Sequence, residues 1–247
     1  MEIESVFFLA VLIFAAATLY SSVGHAGASG YLVAMALFGM TPLEMKPAAL
    51  TLNILVATIA TTKYLKAGRF SWAIFWPFAL SSVPFAYLGG LILLPGNYYQ
   101  PIIGAILIYA AYRFVRDAGK PDYRIKHPLM PVVVMSGAGL GFLSGLVGVG
   151  GGIFLSPLLI ASQWEEEKNV SGIAAAFILV NSIAGLLGFV SSKTPQLPEG
   201  LPVWALAAVI GAYIGTEYGS KRFGNQTIKR ILSLVLLVAG IKMIVTI

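Results

Sequence analysis

Long apolar blocks separated by short polar turns constrain this chain more than any other feature. Val6–Tyr20, Trp72–Leu94 and Ile231–Ile247 are such blocks. A bilayer core of ~30 Å takes ~20 apolar residues per helical crossing. Backbone at that depth has no water to bond, so a block of this length satisfies itself as a helix. Charge is correspondingly scarce: 58% of the 247 residues are hydrophobic and 11% are charged, against roughly 25% charged in a soluble domain. The fold class that follows is an all-α polytopic membrane protein lying in a lipid bilayer.

Ten apolar segments can be traced, five in each half. They cover about 5–23, 29–40, 47–63, 71–94 and 100–116, then about 130–147, 152–162, 169–190, 202–218 and 228–247. The acidic Glu2 and Glu4 ahead of the first block do not suit a signal peptide, so 5–23 is read as a retained membrane helix. The halves carry the same features in the same order. Gly24 and Gly148 each open a glycine-rich break, followed by a truncated apolar piece, a charged turn and a helix bearing Asn53 or Asn181. Ala86-Tyr87-Leu88-Gly89 echoes Ala212-Tyr213-Ile214-Gly215. The expected organisation is a transmembrane repeat at 1–118, a basic cytoplasmic linker at 119–129 and a second transmembrane repeat at 130–247.

Charge placement orients the halves. If each crosses an odd number of times, the repeats are inverted and thirteen Lys and Arg gather on one side, leaving Lys46, Lys193 and Lys242 opposite. Parallel repeats would divide them ten against six. The positive-inside rule favours inversion. Residues 29–40 and 152–162 are short for a crossing at ~1.5 Å per residue. Each repeat is therefore expected to hold a broken or re-entrant glycine-rich pair plus three spanning helices, with ten full spans as the alternative.

All ten acidic residues fall at segment ends or in turns. Cation and proton carriers keep carboxylates at membrane depth, and intramembrane hydrolases need paired acids or metal ligands, so both classes are disfavoured. Without cysteine there is no thiol or disulfide chemistry. His25 and His127 do not make a histidine-rich metal centre, and no cofactor is expected. The net charge of +6 reads as basic loops facing the cytoplasm, not as a nucleic-acid surface.

Glycines, hydroxyls, amides and one histidine remain at depth. Gly24, His25, Gly27 and Ser29 lie in the first break, and Gly148, Gly150, Gly151 and Gly152 in the second. Glycine lets a ligand approach the main chain, and a helix starting after such a turn points N–H groups and its positive end at the gap. Inverted-repeat transporters use paired broken helices in this way. Asn53 and Asn181 would complete the shell of a bound anion. The bland readings are close helix packing for the glycines and interhelical bonding for the amides, a backbone tie for His25, and snorkelling for Lys46 and Lys63.

Gly148-Val149-Gly150-Gly151-Gly152-Ile153-Phe154-Leu155-Ser156-Pro157 and the weaker copy Gly24-His25-Ala26-Gly27-Ala28-Ser29-Gly30-Tyr31-Leu32 resemble the sulfite exporter TauE/SafE family, along nearly the whole chain. The resemblance implies transport, often export, of sulfite, sulfonates or related organosulfur anions across the bacterial inner membrane by a multi-pass protein. It also implies an eight-span protein with parallel repeats, against the charge count. His25 and Ala26 stand where many members carry plainer glycine. The function expected is a secondary transporter of a small inorganic or organosulfur anion such as sulfite, thiosulfate or an organosulfonate, with proton coupling and a homodimer as further possibilities. An anion channel and a non-transporting assembly or sensor subunit are the competing readings.

Overall fold

The computed structural model describes residues 3–116, 125–126, 128–221 and the single positions 233, 237, 241 and 244. Among the described residues there are nine helices and no strand: α1 (Ile3–Ser21), α2 (Ala28–Leu37), α3 (Pro42–Lys66), α4 (Trp72–Leu91), α5 (Gly96–Arg116), α6 (Met130–Val147), α7 (Gly152–Ser162), α8 (Glu167–Ser192) and α9 (Leu201–Lys221). Most of the tenth apolar segment and most of the 119–129 linker lie outside the described residues. Local chemistry explains the boundaries. Pro42 opens α3 where its missing N–H costs nothing, and the Thr41 N–H donates to Glu44 at 2.9 Å, half of a capping box. By contrast, α2 and α7 start from glycines in the left-handed region, Gly27 (φ 98°) and Gly151 (φ 81°), with no side-chain cap.

Six described helices are long and apolar enough to cross a membrane: α1, α3, α4, α6, α8 and α9. The set differs from the six spans expected from the sequence. α1 and α6, read from the sequence as first arms of re-entrant hairpins, have 19 and 18 residues, or ~27–29 Å at 1.5 Å per residue. Only the second arm of each pair is truncated, at 10 residues in α2 and 11 in α7. Phe7, Leu80, Met135 and Leu206 stand exposed, a surface that suits lipid and that soluble monomers avoid.

Glycine seams draw the long helices together. Gly137, Gly141 and Gly145 recur every fourth residue along α6 and press on α4. A methyl group on Gly145 would sit 1.9 Å from the Ala86 carbonyl oxygen, and one on Gly141 2.2 Å from that of Ser82. On α9, Gly211, Gly215 and Gly219 press in the same way on the Phe14 and Thr18 carbonyls of α1 and on that of Ser22 just past its end. Residue numbers rise together along both seams, so α4 runs parallel to α6 and α1 parallel to α9. Small residues allow this backbone approach, which is how helices associate where hydrophobicity gives no drive.

Between the seams, α3 and α8 cross the centre in opposite directions. Lys46 lies by Phe189, Leu50 by Gly185, Asn53 by Ser182 and Tyr64 by Gly172. The main apolar core gathers α1, α2, α3, α5 and α9 around Tyr20, Tyr31, Tyr99 and Trp204, with Val147, Val149 and Ile153 of the second break among them.

Candidate functional site

Both glycine breaks are buried throughout, from Gly24 to Ser29 and from Val147 to Ile153. A chain that turns sharply inside a membrane exposes carbonyls where one helix stops and N–H groups where the next starts. Here the two sets are treated differently.

Several of the carbonyls are answered by side chains. In the first break the Tyr64 hydroxyl donates to Ser21 and Ser22 oxygens at 3.2 Å each. The Ser171 hydroxyl donates to Val23 at 3.1 Å, and the Tyr31 hydroxyl donates to Ala26. In the second, the Tyr99 hydroxyl donates to Val147 at 2.7 Å and the Asn53 amide to Val149 at 3.3 Å. The N–H groups are left over. Among the described residues, those of Ala26–Gly30 and of Val149–Ile153 meet no acceptor. Buried main-chain donors are normally paired, so five in a row at each of two helix starts make an electropositive lining. Each start adds the positive end of a helix dipole, roughly +0.5 of a charge. Such a lining can bind an anion through the backbone alone.

His25 joins the two breaks. Its Nε2 lies 3.1 Å from the Gly152 carbonyl oxygen and 3.2 Å from the Ser156 hydroxyl on α7. A carbonyl can only accept, so Nε2 carries the hydrogen in this contact. The structure thus brings Gly24, His25, Gly27, Ser29, Gly148, Gly150, Gly151 and Gly152 into one buried region, and the His25 contact is a backbone tie. Asn53 joins them. Besides Val149 it reaches the Ser182 hydroxyl at 3.4 Å, and a methyl group on Gly150 would lie 2.9 Å from its Nδ2.

Asn181 behaves differently although its sequence setting looks the same. Its amide donates to Phe177 on its own helix at 2.8 Å, and its Oδ1 has no partner. Gly24 and Gly151 also serve packing: a methyl group on Gly24 would fall 2.3 Å from the Ser171 carbonyl, and one on Gly151 2.8 Å from the Phe177 ring. A cavity of about 270 Å³ lies between α1 and α2, touching Ser29 and Tyr20. Its other walls are aliphatic, so it does not offer an anion a shell.

Lys46 corrects the expectation that it snorkels. The residue is fully buried. Its ammonium faces the end of α4, donating to Gly89, Gly90 and Ile92 oxygens at 3.3, 3.2 and 2.7 Å. Lys63 does not simply snorkel either: it pairs with Glu217 at 2.9 Å and lies over the Tyr213 ring. Sequence reading missed Tyr31, Tyr64, Tyr99, Ser156 and Ser171 as partners of the breaks. The tyrosines resemble interfacial aromatics, and nothing local to them reports a contact with a distant helix.

Comparison with known proteins agrees with this architecture. The profile of the family described as sulfite exporter TauE/SafE matches residues 9–243. The chain is 39% identical over 240 residues to "Probable membrane transporter protein y4hK" of Sinorhizobium fredii, covering 96% of this chain and 97% of that one. It is 24% identical over 198 residues to "Probable membrane transporter protein MJ0441" of Methanocaldococcus jannaschii, covering 75% and 73%. No solved structure matches.

Proposed function

The chain belongs to the sulfite exporter TauE/SafE family of multi-pass membrane transporters, and from that premise we propose that it is a secondary transporter exporting a small sulfur-containing anion across the bacterial inner membrane. Sulfite, thiosulfate and organosulfonates are the candidate cargoes. One observation carries the reading: among the described residues a run of five N–H groups at each helix start meets no acceptor, while side chains donate to several carbonyls of the same breaks. A cation site would present the reverse, free carbonyls and bonded N–H groups. Oxyanions have several acceptor oxygens and no need of a carboxylate partner, which fits a membrane interior whose polar groups are main-chain donors, amides and hydroxyls.

In this reading the anion sits between the starts of α2 and α7, replacing its hydration with N–H groups from both repeats, while Asn53 and Ser29 complete the shell. Asn181 contributes if its amide turns from Phe177. The repeats are inverted, residues 1–118 and 130–247 being related across the α3/α8 pair. The opposed directions of α3 and α8 support this, because equivalent helices of parallel repeats would run the same way. Alternating access then follows from rocking one repeat against the other around the fixed site. His25, bonded across the two breaks, is placed to sense that motion.

The test is a thermal-shift screen of the purified protein with sulfite, thiosulfate, sulfate, sulfoacetate, taurine and chloride, followed by flux in proteoliposomes. Saturable stabilisation by one sulfur oxyanion, and gradient-driven flux of that same anion at carrier turnover, are expected. Single-channel currents, or indifference to every anion, would overturn the reading.

A further inference from the structure

Lys46 is a fully buried cation that neither helix packing nor the backbone donors of the breaks require. Its stem lies against the second break, where a methyl group on Gly148 would meet Lys46 Cγ at 3.2 Å. An ammonium has three hydrogens to donate, and three carbonyl oxygens receive them within 3.3 Å. Three acceptors around the nitrogen, with no further donor among the described residues, suit the three hydrogens of the charged form. Among the described residues no carboxylate lies within 4.0 Å of it. The other seam has a different arrangement. There Lys63 donates to the Tyr213 carbonyl of α9 at 2.9 Å, and its charge is matched by Glu217 at 2.9 Å.

Capping α4 alone does not require this charge. Orphan carbonyls accept from neutral donors as well, as Leu91 does from the Ser192 hydroxyl at 2.9 Å. A buried charge carries a desolvation penalty that a neutral donor avoids. The helix end offsets only about half of a unit charge, so a net positive field remains at the second break.

We propose that Lys46 is the transporter's fixed counter-charge, a specificity-determining residue that makes the adjoining break select anions and favour the more highly charged ones. The proposal rests on the anion reading of the two breaks. Lys46 touches the break through its stem while its ammonium is held by α4, so it acts on the cargo through its field and not by coordination. Coulomb energy is linear in the ligand's charge. Loss of the lysine charge therefore costs a dianion twice the free energy it costs a monoanion.

The experiment measures affinities of the full chain in detergent for methanesulfonate, a monoanion, and thiosulfate, a dianion, in wild type, Lys46→Gln, Lys46→Arg and Asn53→Ala. Lys46→Gln should weaken methanesulfonate about tenfold and thiosulfate about a hundredfold, since equal energies multiply as factors. Lys46→Arg should stay within about threefold of wild type for both. Should the glutamine variant not fold, Lys46→Met keeps the linear stem against Gly148 and carries the same comparison. Equal losses for the two anions, or none, would overturn the proposal and leave Lys46 a cap for α4. Loss of affinity in Asn53→Ala with none in Lys46→Gln overturns the Lys46 role alone. The graded loss in Lys46→Gln with none in Asn53→Ala upholds it and moves the bound anion away from Asn53. A wild type that binds neither anion overturns the site reading and this proposal together.

Discussion

Replacing His25 with alanine is the sharpest test of how the two breaks are held. The substitution removes the Nε2 contact to the Gly152 carbonyl at 3.1 Å and to the Ser156 hydroxyl at 3.2 Å. The hydrogen bond lost is worth ~0.5–1.5 kcal/mol net. Ser156 lies four residues after Gly152 and can turn its hydroxyl onto that carbonyl, as serines in helices do, which holds this part near ~1 kcal/mol. The imidazole also vacates roughly 70 Å³ in a site that is 3% exposed, adding about 1.7 kcal/mol at ~24 cal/mol per Å³. Together these predict a loss of about 2–3 kcal/mol, or roughly 4–12 °C in Tm for a chain of this size. Thermal unfolding in detergent micelles measures it. His25→Gln, which returns a donor, should recover about half. A double-mutant cycle with Ser156→Ala should show a coupling above ~0.5 kcal/mol. A His25→Ala protein within ~0.5 kcal/mol of wild type, with no coupling to Ser156, would refute the tie between the breaks.

Three further outcomes follow from the same geometry. Gly145→Ala puts a methyl group 1.9 Å from the Ala86 carbonyl and should destabilise by ~1–3 kcal/mol or more, whereas Gly139→Ala, with nothing within 4 Å, should be neutral or gain up to ~1 kcal/mol of helix propensity; paired melting curves decide between them. Cysteines at Lys66 and Lys221 should be labelled from the cytoplasmic face and one at Lys193 from the other. Labelling of Lys66 and Lys221 from opposite faces would favour parallel repeats. Asn53→Ala should weaken anion binding by about tenfold, about 1.4 kcal/mol, and Asn181→Ala by less, because its donor is engaged with Phe177; isothermal titration gives both.

Much of the architecture is legible in the sequence because a bilayer leaves a long apolar block one solution. The glycine breaks are legible for a related reason. Gly27 and Gly151 hold left-handed backbone at helix starts, and few other residues do so without strain. The lengths of α1 and α6 are legible in segments 5–23 and 130–147, but their pairing with a truncated helix makes them read as arms of re-entrant hairpins. Lys46 was misread because a cation near a turn looks free to reach water. α3 starts at Pro42, so Lys46 sits one turn inside the helix, where its neighbours are the end of α4 and Phe189. Asn53 and Asn181 are indistinguishable by pattern, yet one bonds across to Val149 and the other back to Phe177. That choice belongs to packing. The same holds for Tyr64 and Tyr99, whose hydroxyls turn inward to carbonyls far away in the chain.

The central claim is that an anion lies between the starts of α2 and α7, held by N–H groups from both. A structure of the protein with selenite, the heavier analogue of sulfite, tests it most directly, because selenium is located by its anomalous scattering. The account predicts the oxyanion oxygens at ~3 Å, hydrogen-bond distance, from main-chain nitrogens of both Ala26–Gly30 and Val149–Ile153, with Asn53 beside them. Selenium more than a helix diameter, ~10 Å, from both breaks would contradict it.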